Sequence, residues 1–137
     1  MICLNCSNPT KRKTYRYCSN ECQADFEYKK YIEKWKAGLL IGNKGKEFPQ
    51  LSNYLKRFLL KKFGEKCCLC GWKKRHSITQ KVPLEVNHID GNSVNNSESN
   101  LQLLCQNCHS LTLNFRNLNK GNGRIHRRTI NFMLRNQ

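Results

Sequence analysis

The chain has 137 residues, and its 25 Lys and Arg against 9 Asp and Glu give a formal net charge of +16. This length allows one modest domain and a small appendage. The positive charge is spread along the chain, which is more typical of a nucleic-acid binder than of a merely soluble basic protein. Because the sequence lacks a run of about 18 apolar residues and a signal-peptide pattern, we expect a cytoplasmic protein that does not enter a membrane.

The chain has nine cysteines, and eight of them form close pairs. In a reducing compartment such pairs indicate metal binding more than disulfides. They predict two structural zinc sites, made by Cys3, Cys6, Cys18 and Cys22 and by Cys67, Cys70, Cys105 and Cys108. Each site carries a formal charge of about −2, so two of them leave the chain at about +12. Cys68 is left over as a buried or spare thiol, because C-x-C spacing suits a zinc knuckle badly.

The pattern of residues 1–37 predicts a four-cysteine zinc module followed by a helix. Too few residues separate the two cysteine pairs for a hydrophobic core, so the metal must supply the folding free energy. The helix is predicted over residues 23–37. Its apolar residues recur at helical spacing and are Tyr28, Tyr31, Ile32 and Trp35.

Residues 38–64 predict a linker and a basic helix. Glycine and proline mark residues 38–49 as a turn-rich connection, and a helix over 51–63 ends at Gly64. The basic residues of this helix are candidates for contacts with DNA phosphates, with an ordinary solvated face as the alternative. They are Lys56, Arg57, Lys61 and Lys62.

Residues 65–123 have a different pattern, which predicts an α+β domain. A cysteine knuckle is followed by a strand over 82–89, a polar loop, a second strand over 100–104 and a helix over 106–118. Zinc is expected to fasten the start of that helix to the knuckle. Residues 124–137 form a basic C-terminal tail.

The segment LEVNHIDGNSVNNSESNLQLLCQNCHSL resembles the HNH nucleases, which share the ββα-metal active site. With its four cysteines it is similar to the zinc-bearing subgroup common in bacteriophages, and the resemblance covers residues 65–123. The N-terminal module resembles small zinc fingers that precede HNH domains in phage proteins. The resemblance implies a phage source and therefore the cytoplasm of a host cell.

The resemblance also implies roles for individual residues. His88 matches the general base that activates water, and Asn100 matches the middle Asn, which holds the loop and positions that histidine. Asn87 and His109 match the two ligands of a catalytic divalent ion, Mg²⁺ or Mn²⁺. The first ligand is often Asp in the family, and the neutral Asn87 is expected to bind the ion more weakly.

Helical spacing predicts separate positions for the two metals of this domain. Cys105 and Cys108 share one face of the helix, and His109 lies about 100° further round. A ligand role of His109 in the zinc site competes poorly, because four cysteines already complete that site. On a continuous helix His109 and Arg116 form a second stripe, so we expect Arg116 to contact a DNA phosphate, and Arg124 joins the candidate DNA contacts.

The interpretation favoured by the sequence is a metal-dependent endonuclease that acts on double-stranded DNA and leaves a 5′-phosphate and a 3′-hydroxyl. One site cuts one strand, so a monomer would nick and a homodimer would break both strands. Homing, packaging-related cleavage and attack on host DNA are the roles that the resemblance leaves open. The alternatives are a zinc-dependent DNA-binding protein without catalysis, which the neutral Asn87 keeps open, and an RNA-directed nuclease. His76 and His126 lack a motif and are interpreted as surface residues.

Overall fold

The computed structural model describes residues 1–44 and 50–121, and the chain divides into two compact units, Met1–Leu40 and Ile41–Gln137. In the described residues the elements are α1 (Asn20–Lys36), α2 (Asn53–Phe63), β1 (Glu85–His88), β2 (Leu101–Leu104) and α3 (Gln106–Ser110), with 3-10 turns at Glu98–Asn100 and Arg116–Asn119. None of these helices is both long enough and apolar enough to span a membrane.

The first unit is built around α1. The helix begins three residues earlier than the pattern predicts, because the Ser19 side chain accepts a hydrogen bond from the backbone N–H of Cys22 and caps the first turn. Tyr28 and Trp35 are buried, as their helical spacing predicts. The cap therefore ties the helix start to one of the cysteines of the first quartet.

Helix α2 belongs to the second unit. Ser52 caps it by accepting from the N–H of Leu55, and Gly64 ends it in the left-handed conformation at φ 70°. Leu55 and Leu59 are completely buried. Leu51, predicted as the first helical residue, instead pairs with Asn43 in an isolated antiparallel bridge.

The sheet of the second unit is a two-stranded antiparallel pair, in which Glu85 lies opposite Leu104 and His88 opposite Leu101. Side chains alternate between the two faces of a strand. One face therefore carries Glu85, Asn87, Gln102 and Leu104, and the other carries Val86, His88, Leu101 and Leu103. The side chains of Asn87 and His88, the two candidate active-site residues of β1, thus lie on opposite faces of the sheet.

The predicted helix over 106–118 is wrong beyond Ser110, where α3 ends. Side-chain amides compete with helical hydrogen bonding, since Asn114 donates to the carbonyls of His88 and Ile89, and Asn119 donates to that of Gly91. Leu111 and Leu118 belong to the apolar stripe whose spacing predicts that helix, but they are 83% and 72% exposed. The chain after α3 therefore turns back to the loop that follows β1.

A small apolar core lies beside the second cysteine quartet. Leu104, Cys67 and Cys105 are buried, and Leu84, Cys68 and Cys108 pack against them. The partial burial of Cys68 fits its interpretation as a spare thiol, and its Sγ lies 3.8 Å from Oε1 of Gln102. The end of β2 and the start of α3 are thus packed against the cysteine knuckle.

Candidate active site and metal sites

The second cysteine quartet, Cys67, Cys70, Cys105 and Cys108, brings four sulfur atoms within 4.8 Å of one another. Sγ of Cys70 and Sγ of Cys105 are 3.7 Å apart. Tetrahedral coordination at a Zn–S distance of about 2.3 Å places sulfurs about 3.8 Å apart. Cys105 also caps α3 by accepting from the N–H of Cys108. The group can hold a metal ion at the start of the helix that carries His109.

The first quartet, Cys3, Cys6, Cys18 and Cys22, is as compact. Sγ of Cys18 lies 3.5 Å from that of Cys6 and 3.3 Å from that of Cys22, and Sγ of Cys22 lies 3.6 Å from that of Cys6. The structure thus forms two groups of four from the eight cysteines that the spacing selected, and Cys68 belongs to neither group.

The pKa values in the two quartets differ strongly between cysteines. Burial raises the pKa of Cys67, but backbone N–H groups, first those of Cys70 and Cys105, outweigh burial and lower it to about 6. Hydrogen bonding of the neutral Cys108 thiol to the sulfurs of Cys70 and Cys105 raises the pKa of Cys108 to about 12. Backbone donors that favour thiolate, next to thiols that resist a second negative charge, suit a site completed by a cation.

His88 lies at the end of β1, with its imidazole hydrogen-bonded to a side chain that the sequence did not single out. Nε2 of His88 is 2.8 Å from Oδ1 of Asn96. Asn96 is only 4% exposed, and its Nδ2 donates to the carbonyl of Ile41 and to Oδ1 of Asn43. The candidate base is therefore held by a buried amide.

Asn100 is the centre of the loop that follows β1. Its Oδ1 accepts from the N–H of Asp90, and its Nδ2 donates to Oδ1 of Asp90 and to the carbonyl of Asn95. The pKa of Asp90 is lowered by hydrogen bonds from the Asn95 side chain, the N–H of Asn92 and the Asn100 amide, which outweigh the opposite effect of burial. These contacts are those expected of a residue that holds the loop beside His88.

A carboxylate and an imidazole meet where β1 faces α3. Oε2 of Glu85 is in direct contact with Nδ1 of His109. Asn87 lies two residues along the same strand face and is 6% exposed, and its side chain forms no hydrogen bond within residues 1–44 and 50–121. Glu85, Asn87 and His109 fit a divalent ion by their chemistry, because they offer oxygen and imidazole donors.

A cleft of about 530 Å³ opens beside His88. Its walls include Lys56 and Leu60 from α2 and Val86 from β1. Among the other basic residues predicted for this helix, Lys62 is paired with Glu98 at 3.0 Å. Arg57 is partly buried and Lys61 is exposed. Lys56 is thus a predicted DNA contact that lines the same cleft as the candidate base.

Arg116 lies in a different place from the one that helical spacing predicts. It follows the end of α3 in a 3-10 turn, with φ 50° and its guanidinium 5.0 Å from the ring centroid of Phe115. The prediction that Arg116 and His109 form one stripe on a continuous helix is therefore wrong. Arg116 is nevertheless exposed and belongs to the same unit as His109. His76 is exposed and its Nδ1 accepts from the N–H groups of Ile78 and Thr79. Arg124 and His126 lie outside the described residues.

The sequence interpretation missed Glu85 and Asn96. Strand alternation could have identified Glu85, because it lies two residues before Asn87 and so shares its face. Nothing in the sequence pointed to Asn96, since it is one of several asparagines in the loop and its partners Ile41 and Asn43 are more than 50 residues away in the chain.

Residues 67–114 match the family model described as HNH endonuclease. This part of the chain contains the small antiparallel sheet, the short helix and the cysteine quartet, and it is similar to an HNH endonuclease domain. The protein named H-N-H endonuclease F-TflIV, from Escherichia phage T5, is 44% identical to this chain over 66 residues. The match covers 48% of this chain but 27% of the phage protein, so the chain spans about a quarter of that relative's length. No solved structure matches the chain significantly.

Proposed function

We propose that this protein is a metal-dependent DNA endonuclease that hydrolyses phosphodiester bonds, with His88 as general base. One observation carries the proposal: Glu85 contacts His109 on the strand face that also carries Asn87, and the next residue of the strand is the hydrogen-bonded His88. The match of residues 67–114 to the HNH endonuclease family supports it.

The proposed ligands of the catalytic ion are Glu85, Asn87 and His109. Two oxygen donors and one imidazole suit Mg²⁺ or Mn²⁺, and waters and a phosphate oxygen of DNA would complete the shell. When bound, the ion neutralises charge on the phosphate and stabilises the leaving 3′-oxygen. Glu85 supplies the carboxylate that Asn87 lacks, which weakens the case for a DNA-binding protein without catalysis.

The chain's own groups perform the remaining work. The His88 imidazole takes a proton from the attacking water, a step for which histidine is suited near neutral pH. Asn100 holds the loop beside it through Asp90 and Asn95. The products expected from this attack are a 5′-phosphate and a 3′-hydroxyl.

Double-stranded DNA is the proposed substrate. The formal charge of +16 favours a polyanion, and the position of Lys56 in the cleft beside His88 supports a contact with a phosphate next to the scissile bond. We assign Arg57, Lys61, Lys62, Arg116 and Arg124 as further phosphate contacts. One site of this kind cuts one strand, so the protein nicks DNA as a monomer, and a homodimer would cut both strands. Site-specific cleavage, as in homing, is the role that we propose for a phage-encoded nicking enzyme of this kind.

Zinc is the proposed occupant of both cysteine quartets, because four thiolates in a compact tetrahedral group are the usual ligands of structural zinc. Neither zinc takes part in the reaction. The ion at the second quartet holds the start of α3 and therefore the backbone of His109.

The test is conversion of supercoiled plasmid to open-circle DNA by zinc-loaded protein with Mg²⁺ or Mn²⁺. We expect nicking by the wild type and by His76→Ala, a control in an exposed histidine, and a loss of at least about 100-fold in His88→Ala, which removes the general base. Zinc content is measured in every sample, so that omission of the catalytic ion is distinguished from loss of structural zinc. Binding of DNA without cleavage by the wild type would favour the zinc-dependent binding protein, and cleavage of RNA alone would favour the RNA-directed nuclease.

A further inference from the structure

Asn96 connects the candidate base to a segment that precedes the HNH match. It lies 2.8 Å from Nε2 of His88 through its Oδ1. Its Nδ2 lies 3.0 Å from the carbonyl oxygen of Ile41 and 2.8 Å from Oδ1 of Asn43. Because Asn96 is 4% exposed, water competes little for these hydrogen bonds, and their geometry determines how the amide is oriented.

The backbone carbonyl of Ile41 fixes the orientation of this amide. A carbonyl oxygen only accepts hydrogen bonds, so the group of Asn96 that faces Ile41 must be the NH₂. The amide oxygen then faces His88, and an oxygen without hydrogen can only accept. Nε2 of His88 must therefore carry the proton, which leaves the lone pair of the neutral imidazole on Nδ1.

Nδ1 of His88 is available for chemistry. Within residues 1–44 and 50–121 it forms no hydrogen bond, and in that part of the chain Oδ1 of Asn119 is the one buried side-chain nitrogen or oxygen that lacks a partner. Nδ1 is consequently not sealed from solvent. It is the ring nitrogen that can accept a proton from water, whereas Nε2 is occupied by Asn96.

The segment that holds Asn96 is itself anchored. Asn43 pairs with Leu51 in an antiparallel bridge, the N–H of Lys44 donates to the carbonyl of Gln50, and the N–H of Ser52 donates to that of Gly42. Ser52 also caps α2. The partners of Asn96 are therefore fixed to the start of a helix whose Leu55 and Leu59 are completely buried.

We propose that Asn96, held by Ile41 and Asn43, is a positioning residue that keeps His88 in the Nε2–H tautomer and so makes Nδ1 the proton acceptor. The proposal rests on the proposed function for the role of His88 as base. The tautomer itself is a property of the protein without DNA. It can therefore be measured whether or not the protein cleaves.

The experiment is imidazole ¹⁵N NMR on the full-length, zinc-loaded protein without DNA, at a pH high enough to keep His88 neutral. We expect the chemical shifts of the Nε2–H tautomer in the wild type. Asn96→Ala removes the acceptor and should give a mixture of tautomers, while Asn96→Asp keeps an acceptor and should retain Nε2–H. Asn43→Ala should give a smaller shift toward the mixture, and Asn53→Ala, a control in an exposed asparagine of α2, should leave the wild-type signals.

Plasmid cleavage by the same variants provides the second measurement. Asn96→Ala should lower kcat by roughly 10-fold or more with little change in KM, because part of the general-base contribution depends on a correctly held imidazole, and Asn96→Asp should recover part of the loss. An Nδ1–H signal in the wild type overturns the proposal even if Asn96→Ala does not fold. A folded Asn96→Ala with an unchanged tautomer also overturns it. Wild-type protein that has the Nε2–H tautomer but does not cut would instead refute the proposed function alone.

Discussion

The two cysteine quartets have the same four ligands but lie in different surroundings. In the first unit the described buried residues besides Cys3 are Tyr28 and Trp35 of one helix, and the described residues form no strand there beyond an isolated bridge. In the second unit Cys67 and Cys105 pack with Leu104 at the end of a sheet strand. The comparison teaches that the proposed zinc would serve two purposes: it would replace a core in the first unit and would fasten the helix that carries His109 to an existing core in the second.

Breaking each quartet in turn should have the largest effect. Cys105→Ser removes a proposed zinc ligand and a buried core sulfur but keeps a side chain that can cap α3, so we expect loss of one zinc, cooperative unfolding of the second unit and no DNA cleavage. Cys22→Ser should also release one zinc but leave the cleavage chemistry within about 10-fold of the wild type, since the HNH motif lies in the other unit.

Zinc stoichiometry, circular dichroism and plasmid nicking on both variants measure these effects, with Cys68→Ser as the control. Cys68 belongs to neither quartet, so this variant should keep both zinc ions. Equal loss of cleavage in Cys22→Ser and Cys105→Ser would contradict the proposed division between the units.

The proposed catalytic ion would distinguish the second unit from the first, and its proposed ligands should give the next largest effect. Glu85→Gln removes the carboxylate and should weaken Mn²⁺ binding roughly 10-fold or more. Asn87→Asp adds a negative charge and should tighten it. Titration of zinc-loaded protein with Mn²⁺, followed by electron paramagnetic resonance, reports affinity without any need for cleavage. Glu65→Gln, in an exposed carboxylate on the same unit, is the control, and identical affinities in all four proteins would exclude Glu85 as a ligand.

The loop beside His88 should respond to a smaller change. Gly91 has φ 74°, and a Cβ there would lie 2.3 Å from Oδ1 of Asn119 and 2.6 Å from Nδ2 of Asn114. Gly91→Ala should therefore destabilise the second unit by about 1–3 kcal/mol and slow cleavage. Gly38→Ala in the first unit has a similar φ of 76° but open space around it, so it should cost less. Chemical denaturation measures both, and equal costs would show that the contacts of the two asparagines are unimportant.

The helix caps should give the smallest difference. Ser19 and Ser52 each accept a hydrogen bond from a backbone N–H at 3.2 Å, and replacement of either by Ala should cost about 1 kcal/mol. Ser52→Ala should cost more, because Ser52 is 5% exposed whereas Ser19 is exposed. Thermal melting of the two variants measures this difference. A larger loss of stability in Ser19→Ala than in Ser52→Ala would contradict the prediction that the buried cap contributes more.

The sequence predicts the local features of this protein well. Cysteine spacing selected the two quartets that the structure brings together, and periodicity located α1 and α2 to within three residues. It failed where side chains compete with the backbone: the apolar stripe through Leu111 and Leu118 predicted a long helix, but Asn114 and Asn119 bond to the preceding loop instead. Asn96 could not be predicted because its role depends on contacts between distant parts of the chain, which no local pattern records.

The ladder between residues 41–44 and 50–52 also determines how this domain can be transplanted. The HNH match begins at Cys67, and a fusion protein designed on that boundary would carry the motif but lack Ile41, Asn43 and the helix that supports them. The second unit begins at Ile41. A fusion protein that is to keep the geometry around His88 should therefore be joined to its targeting domain before this residue, and the 26 residues from Ile41 to Lys66 belong to the second unit rather than to the connector.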